Sequence, residues 1–163
     1  MIHANCLIRE IKPADNKQIG KIIRDVVVEF GVPKVGSVYE DKSLNALSNY
    51  YTDDSEIYYI IEKNNRIVGG AGIKKLDNYE GAVCELQKMY FLSEIRGLGL
   101  GRKLIQLCLD KATSFKYQKC YLETMPYMKA ARKLYRSMGF SDLEKPLGDT
   151  GHYACQRWMI KQL

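Results

Sequence analysis

A predicted strand and a predicted amphipathic helix are joined by the segment Arg96-Gly97-Leu98-Gly99-Leu100-Gly101-Arg102. Glycines at alternate positions let a backbone approach a ligand closely, because no β-carbon intervenes. Amides at the start of a helix also face away from it at the positive end of its dipole, which suits phosphate groups. Alternating glycines can equally mark a tight strand-to-helix turn. The segment by itself therefore leaves two interpretations, a phosphate cradle and a plain turn.

Two other nucleotide-binding motifs fit this segment badly. A Walker loop needs Gly-Lys followed by Ser or Thr, whereas Gly101 is followed by Arg102 and Lys103. A dinucleotide-binding loop follows the first strand of a parallel sheet and precedes an acidic residue by about 20 positions. Here the preceding strands look antiparallel, and the last glycine comes too soon after the one before it. Neither of these two folds is predicted.

The residues before the segment predict one strand, two helices and three further strands. The first strand covers residues 7–11, and a helix with a proline near its start covers residues 13–30. A second, shorter helix is predicted over residues 42–51, where apolar residues recur on one side. A change to strand-like patterning then predicts a hairpin and a third strand, over residues 57–62, 66–73 and 83–92.

The residues after the segment complete a mixed α/β fold. Helical spacing predicts helices over residues 100–115 and 128–138, and strand patterns cover residues 120–123, 140–143 and 153–160. The predicted order is β-α-α-β-β-β-α-β-α-β-β. It corresponds to a mostly antiparallel mixed sheet of about seven strands with helices on both faces. Because domains usually span about 100–200 residues, residues 1–163 are expected to form one domain.

Composition excludes several classes of partner. The net charge of +6 suggests an anionic ligand, but the basic residues are scattered, so no nucleic-acid partner is expected. No apolar run approaches the about 20 residues of a membrane span, and no secretory signal is evident. The five cysteines lack a Cys-x-x-Cys pair, which argues against zinc and disulfides. We expect a cytoplasmic protein with reduced cysteines, no metal and no membrane partner.

Three segments together carry a resemblance to a known family, in chain order residues 85–91, Arg96-x-x-Gly99-x-Gly101 and Leu134-Tyr135-x-x-x-Gly139-Phe140. They are similar, at the family's spacing, to motifs of the GNAT superfamily of acyl-CoA-dependent N-acetyltransferases. The middle segment resembles the Arg/Gln-x-x-Gly-x-Gly/Ala pyrophosphate loop of that superfamily. The resemblance covers nearly the whole chain and is firmest from the first of these segments to the last.

The resemblance implies that acetyl-CoA is bound as the acyl donor, in a cleft where the fourth and fifth strands splay apart. It implies that backbone groups of the fourth strand hold the pantetheine arm, at Met89, Tyr90 and Phe91. It implies that the loop and helix start bind the pyrophosphate, at Arg96, Gly97, Leu98, Gly99, Leu100, Gly101 and Arg102. Met128 is a further candidate cofactor contact, because many relatives carry an asparagine that contacts the cofactor at this position, although a thioether cannot make the same polar contact.

The resemblance also implies a general acid and suggests a general base. Tyr135 matches the tyrosine that many members use, beside the cofactor, to protonate the departing thiolate. An amine has a pKa of about 10 and must lose a proton before it attacks. Glu85 lies eleven positions before Arg96, as the general-base glutamate does in some members. Either side chain could instead be structural, Tyr135 packed in the core and Glu85 paired with a surface lysine.

Strand alternation bears on the assignment of the base. A period of two would place Glu85 on one face with Gln87, Met89 and Phe91, although a bulge would break that phase. His152, in the loop before the last strand, titrates near neutrality and is an alternative base. A water molecule is a third candidate base. The sequence leaves these alternatives open.

The functional hypothesis is transfer of acetyl from acetyl-CoA to a primary amine of a small molecule or peptide. The amine would attack directly in a ternary complex, since no nucleophile with an adjacent base is evident. The alternative is a non-catalytic sensor or interaction module that binds CoA thioesters and has no need of Glu85 and Tyr135. The acceptor amine stays unidentified, and pairing of the closing strands in a homodimer stays open.

Overall fold

A seven-stranded sheet organises residues 5–163, the part of the chain that the computed structural model describes. In chain order the strands are β1 (Cys6–Glu10), β2 (Ile57–Lys63), β3 (Arg66–Lys75), β4 (Val83–Phe91), β5 (Lys119–Thr124), β6 (Ser141–Leu143) and β7 (Arg157–Gln162). The α-helices of these residues are α1 (Asn16–Glu29), α2 (Leu100–Ser114) and α3 (Lys129–Ser137). The spatial order is β1-β2-β3-β4-β5-β7-β6, and only the pair β4 and β5 is parallel. The predicted mostly antiparallel mixed sheet is confirmed.

Helices cover both faces of this sheet, as the sequence predicts. On one face, α1 buries Ile19 and Ile23 in an apolar cluster with Tyr58 and Ile60 of β2. On the other face, α2 and α3 share a second cluster with the alternate residues of β2. The run of apolar residues at 57–61 follows from this arrangement, because a strand covered on both faces has no solvent-facing side. None of the helices in the described residues is long and apolar enough to cross a membrane.

The helix predicted over residues 42–51 is wrong. The structure has short 3-10 turns there, at Lys42–Asn45 and Leu47–Tyr50. The Asn16 side chain accepts a hydrogen bond from the Ser48 amide at 2.8 Å and donates one to the Ser48 hydroxyl at 2.9 Å. Side-chain bonds of this kind compete with a helical ladder, and a short segment gains little from helix cooperativity. The observed order is therefore β-α-β-β-β-α-β-α-β-β.

Strands β4 and β5 pair only at their first residues. Their parallel register joins residues 83–85 to residues 119–121. Beyond this point β4 continues to Phe91 and β5 continues to Thr124 without further pairing between them. A cleft therefore opens in the middle of the sheet, at the place where the resemblance puts the acyl donor.

A bulge at Lys88 reverses the alternation of β4. The register with β3 advances two residues along β3 but three along β4, and Lys88 has a φ of +53°. Met89 and Phe91 consequently pack on the α2 side, whereas Glu85 and Gln87 lie on the opposite side. The predicted common face for these four residues is wrong, because one inserted residue switches the face on which every later side chain lies.

The last strand begins later than predicted, at Arg157 rather than at residue 153. The residues before this strand form backbone hydrogen bonds outside the sheet. Ala154 donates its amide to the Gly36 carbonyl at 2.9 Å, and Cys155 donates its amide to the His152 carbonyl at 3.0 Å. Cys155 is therefore a turn residue, although its spacing resembles that of a strand residue.

Candidate active site

The glycine-containing segment forms an open loop at the N-terminus of α2. Gly97 and Gly99 have φ angles of +74° and +78°, a left-handed conformation that favours glycine. A β-carbon on either glycine would meet nothing within 4 Å. Lys103 donates its amide to the Gly99 carbonyl at 3.2 Å, so the helical ladder begins there and the first-turn amides lie at its open end. This geometry suits a phosphate group.

Gly101 has a different role from its two neighbours. A β-carbon on Gly101 would lie 3.2 Å from Leu134 Cδ2 and 3.3 Å from Phe91 Cε2. These contacts are tighter than ordinary packing, so the missing side chain lets α2 approach both α3 and β4. The third glycine of the motif therefore serves helix packing, and close ligand approach rests on the first two.

Two arginines of the segment bind the protein itself. Arg96 donates to the Phe91 carbonyl from Nε at 2.9 Å and from Nη2 at 2.7 Å, and it pairs with Glu29 at 2.7 Å. Arg102 donates to the Ser137 hydroxyl at 2.6 Å. Arg96 thus fastens the end of β4 to the end of α1. Cofactor contacts of the two guanidinium groups stay predictions, and such contacts would have to share these groups with their present partners.

A cavity of about 60 Å³ lies in the cleft between β4 and β5. We call it the inner cavity. It brings together six of the residues that the sequence singles out, Glu85, Met89, Tyr90, Met128, Tyr135 and His152. Phe91 lies outside this lining, with its ring in the cluster around α2. The cleft therefore joins the candidate acid, the candidate base and part of the proposed pantetheine strand.

Tyr135 presents its hydroxyl to the inner cavity from α3. The residue is 8% exposed, and within residues 5–163 the partner of its hydroxyl is the sulfur of Met89 at 3.9 Å. A thioether is a weak acceptor. Burial raises the pKa of Tyr135 to about 12, so the group stays protonated at neutral pH. Among the residues that the structure describes, this hydroxyl is a donor without a strong acceptor.

Glu85 presents its carboxyl group to the same cavity from β4. The residue is 4% exposed, and Gln87 Nε2 donates to its Oε2 at 3.2 Å. Burial, with a smaller contribution from the negative charge of Glu123, raises the pKa of Glu85 to about 7. A carboxyl group with such a pKa can take up and release protons at neutral pH.

Glu85, Glu123 and His152 form a cluster, which we call the acceptor cluster. Their carboxylate and imidazole donor atoms lie within 4.8 Å of one another. Glu123 is held by the Tyr121 hydroxyl at 3.0 Å and by the Thr150 hydroxyl. Two carboxylates and an imidazole are also a donor set for divalent cations. The expectation that the site uses no metal therefore stays a prediction.

An ion-paired triad, formed by Asp41, Lys88 and His152, adjoins this cluster. His152 Nε2 lies 2.9 Å from Asp41 Oδ1, and Lys88 Nζ lies 3.2 Å from Asp41 Oδ2. Burial alone would lower the pKa of His152, but the Asp41 carboxylate raises it above its ordinary value. Burial alone would raise the pKa of Asp41, yet His152 and Lys88 hold it below its usual range. His152 is therefore more often protonated than a free histidine, which disfavours it as a base.

Comparison with known proteins decides the family. The model of the acetyltransferase (GNAT) family matches residues 23–140, which is most of the chain. The chain belongs to the GNAT family. It is 37% identical to the uncharacterised N-acetyltransferase YjgM of Escherichia coli (strain K12), over 96% of this chain and 95% of that protein. The protein is thus an N-acetyltransferase.

Solved structures confirm the GNAT fold. A GNAT-family acetyltransferase from Staphylococcus aureus Mu50 superposes with a TM-score of 0.85 at 20% identity, over 97% of this chain and 99% of that one. YncA from Salmonella typhimurium, whose structure contains its cofactor acetyl-CoA, superposes with a TM-score of 0.76 at 20% identity, over 98% of this chain and 94% of that one. The predicted family and fold class are therefore confirmed.

Sequence reasoning about this GNAT acetyltransferase misses part of its site. It does not find Glu123, which lies beside Glu85, or Asp41, which pairs with both His152 and Lys88. One signal was available for Glu123, since it is the charged residue of the otherwise uncharged strand predicted over residues 120–123. Asp41 and Lys88 carry no such signal, because a turn and a bulge bring them together.

The triad can be tested through stability. Asp41→Asn is expected to lower the free energy of unfolding by about 1–3 kcal/mol, because it removes the counter-charge of the largely buried Lys88. The pKa of His152 should also fall, which a histidine NMR titration would show. The control Asp25→Asn breaks the exposed pair with Lys21 and should cost about 0.5 kcal/mol or less. If urea denaturation shows that Asp41→Asn and Asp25→Asn lose the same free energy of unfolding, a structural role for the triad is contradicted.

Proposed function

We propose that this protein transfers the acetyl group of acetyl-CoA to a primary amine of a small molecule or peptide, by direct attack in a ternary complex. One observation carries the proposal: Glu85 and Tyr135 reach the same cavity at the splay of β4 and β5. The first can accept a proton at neutral pH and the second stays protonated. Acetyl transfer to an amine needs one group of each kind.

The donor side of the cleft fits a CoA thioester. The left-handed Gly97 and Gly99 leave open space at the start of α2, where amides can bind the pyrophosphate. Past Glu85, β4 no longer pairs with β5, so the backbone of Met89 and Tyr90 can hold the pantetheine arm and orient the thioester carbonyl. Donors fixed in this way stabilise the oxyanion that develops during attack.

In the proposed reaction, Glu85 accepts a proton from the ammonium form of the acceptor, and the neutral nitrogen attacks the thioester carbonyl. Tyr135 donates its proton as the carbon–sulfur bond breaks. Cys155 also lines the inner cavity, but burial raises the pKa of its thiol to about 12. Such a thiol is a poor nucleophile at neutral pH, which supports direct transfer over a covalent acyl-enzyme.

The non-catalytic sensor is disfavoured by the same two residues. A sensor needs the loop but gains nothing from a carboxyl group that is 4% exposed and has a pKa of about 7. Burying such a group costs stability. Release of CoA thiol in the presence of a panel of primary amines tests catalysis directly, with and without EDTA so that any dependence on a metal is detected.

Donor binding is expected to stabilise the protein against heat. Acetyl-CoA at about 100 times its dissociation constant should add about 2.7 kcal/mol, which raises Tm by several degrees. Gly99→Val should abolish this shift, because it places a side chain in the open space of the loop. Gly31→Val is the matched control, since Gly31 also has a positive φ of 68° and open space around it. A shift that survives Gly99→Val would contradict the proposed cradle.

A further inference from the structure

A second cavity of about 250 Å³ adjoins the inner cavity on the side of the β6–β7 connection. We call it the outer cavity. The two cavities share three lining residues, Glu123, His152 and Cys155, so these side chains face both spaces. The lining of the outer cavity also includes Asp149, the exposed Tyr153 and Trp158. An acceptor in the outer cavity would lie next to the acceptor cluster, because Glu123 and His152 of that cluster line both cavities.

The charge of the outer cavity is opposite to that of the whole chain. The protein has a net charge of +6, yet the described residues that line this cavity include no lysine or arginine. Its carboxylates belong to Glu123 and Asp149. Its one cationic candidate, His152, is already paired with Asp41. The cavity therefore offers negative charge and aromatic rings, and its one cationic candidate already has a carboxylate partner.

The Glu85 carboxyl group, in the acceptor cluster, has room for a further hydrogen bond. Glu85 is 96% buried, since 4% of it is exposed, and Gln87 donates to its Oε2. Among residues 5–163, no donor is found for the other oxygen, Oε1, although the carboxyl group lines the inner cavity. Oε1 is not fully buried, because the described residues bury no unpartnered side-chain oxygen, so it can accept a hydrogen bond from a ligand in the cavity. An ammonium group between Glu85 and Glu123 would donate to it.

We propose that the acceptor is a small diamine or polyamine, an amine with a second ammonium group and no carboxylate. This inference rests on the proposed function. The reacting ammonium lies between Glu85 and Glu123, and the second one lies in the outer cavity beside Asp149 and the rings of Tyr153 and Trp158. Aromatic faces and carboxylates both attract an ammonium ion. Glu123 and Asp149 thus become specificity-determining residues.

Glu85, Tyr135 and solvent account for every proton that moves during the transfer. The reacting ammonium loses one proton to Glu85, and its nitrogen forms a bond to the acetyl carbon as the carbon–sulfur bond breaks. The nitrogen then loses a second proton to solvent, and the thiolate gains one from Tyr135, which is reprotonated from solvent. Glu85 releases its proton to solvent at the end of the cycle, so the products are the N-acetyl amine, CoA thiol and one proton. The second ammonium group of the acceptor takes no part in the chemistry.

Three acceptors that differ at one end test the inference, namely 1,4-diaminobutane, butylamine and 4-aminobutanoate. We expect kcat/KM for the diamine to exceed that for butylamine by about tenfold or more, and 4-aminobutanoate to be the poorest acceptor. Asp149→Asn should reduce the ratio of diamine to butylamine severalfold, mainly through KM. Asp25→Asn, which removes the same charge from the exposed face of α1, should leave the ratio unchanged.

The outcomes separate this inference from the proposed function. Acetylation of butylamine, 4-aminobutanoate or a peptide N-terminus at least as fast as the diamine would overturn the inference and leave acetyl transfer intact. Activity that EDTA abolishes and zinc restores would also overturn it, because a metal would then occupy the space between Glu85 and Glu123. Absence of both a thermal shift with acetyl-CoA and acetylation of any amine would overturn the proposed function itself.

Discussion

Glu85→Gln lowers kcat/KM for amine acetylation by about 10²–10⁴-fold, the contribution expected of one positioned proton acceptor. The amide keeps the size of the side chain and can still contact Gln87, but it cannot take a proton from the acceptor. In the wild type, kcat/KM should rise with pH to a plateau above about 7, where Glu85 is ionised. Glu85→Gln should remove this acidic limb, as measured in a pH series of thiol-release rates.

The histidine variant separates the two candidate bases. His152→Gln should keep the acidic limb, because the Asp41 carboxylate already favours the protonated imidazole and leaves it a poor base. If instead the limb disappears in His152→Gln and persists in Glu85→Gln, the roles assigned to the two residues are exchanged. If both variants keep the wild-type rate and limb, water is the base.

The raised pKa of Glu85 also makes the stability of the protein depend on pH. Folding raises the pKa of Glu85 from 4.5 to about 7, so between these values the folded protein holds a proton that the unfolded chain releases. The free energy of unfolding contributed by Glu85 therefore falls as pH rises through this window. Glu85→Gln should flatten that part of the pH–stability curve, which urea denaturation at several pH values would show.

Tyr135→Phe lowers kcat by about 10²–10⁴-fold and leaves the fold intact, because the lost hydroxyl has its only described contact with the Met89 sulfur at 3.9 Å. The ring keeps its edge contact with Phe140. Since burial raises the pKa of Tyr135 to about 12, its loss should lower the rate evenly between pH 6 and 9 without adding or removing a limb. Steady-state kinetics with acetyl-CoA and a reactive amine measure this effect.

A tyrosine outside the inner cavity gives the matched control for this variant. Tyr117→Phe removes a hydroxyl that donates to the Ser55 carbonyl at 3.1 Å, and Tyr117 does not line the inner cavity. It should leave kcat within about twofold and cost about 1 kcal/mol of stability. Unchanged turnover in Tyr135→Phe would remove the proposed acid and transfer its role to water or to another donor.

Several features of the site follow from local sequence. The loop at 96–102 is identifiable because alternating glycines before a helix limit the backbone to a few conformations, which the structure shows at Gly97 and Gly99. Tyr135 is identifiable because helical spacing and the residues after it, up to Gly139, resemble a family motif. These inferences need only neighbours in the chain, so no knowledge of the tertiary structure is required.

Other features depend on residues far apart in sequence. The helix predicted over residues 42–51 fails because Asn16 bonds to Ser48 across more than thirty residues. The common face predicted for β4 fails because the bulge at Lys88 is set by the register with β3. In each case a period in the sequence is real, and a contact from outside the segment overrides it.

The sequence by itself determined the family, the order of most elements, the glycine loop, and the candidate acid and base. Only the tertiary structure decided which groups meet in the cleft, since β4 and β5 must first pair and then diverge to bring Glu123 beside Glu85. It also decided that Asp41, Lys88 and His152 form one ion-paired group. The physical reason is that turns and periodicity are local, whereas burial and charge pairing depend on the whole fold.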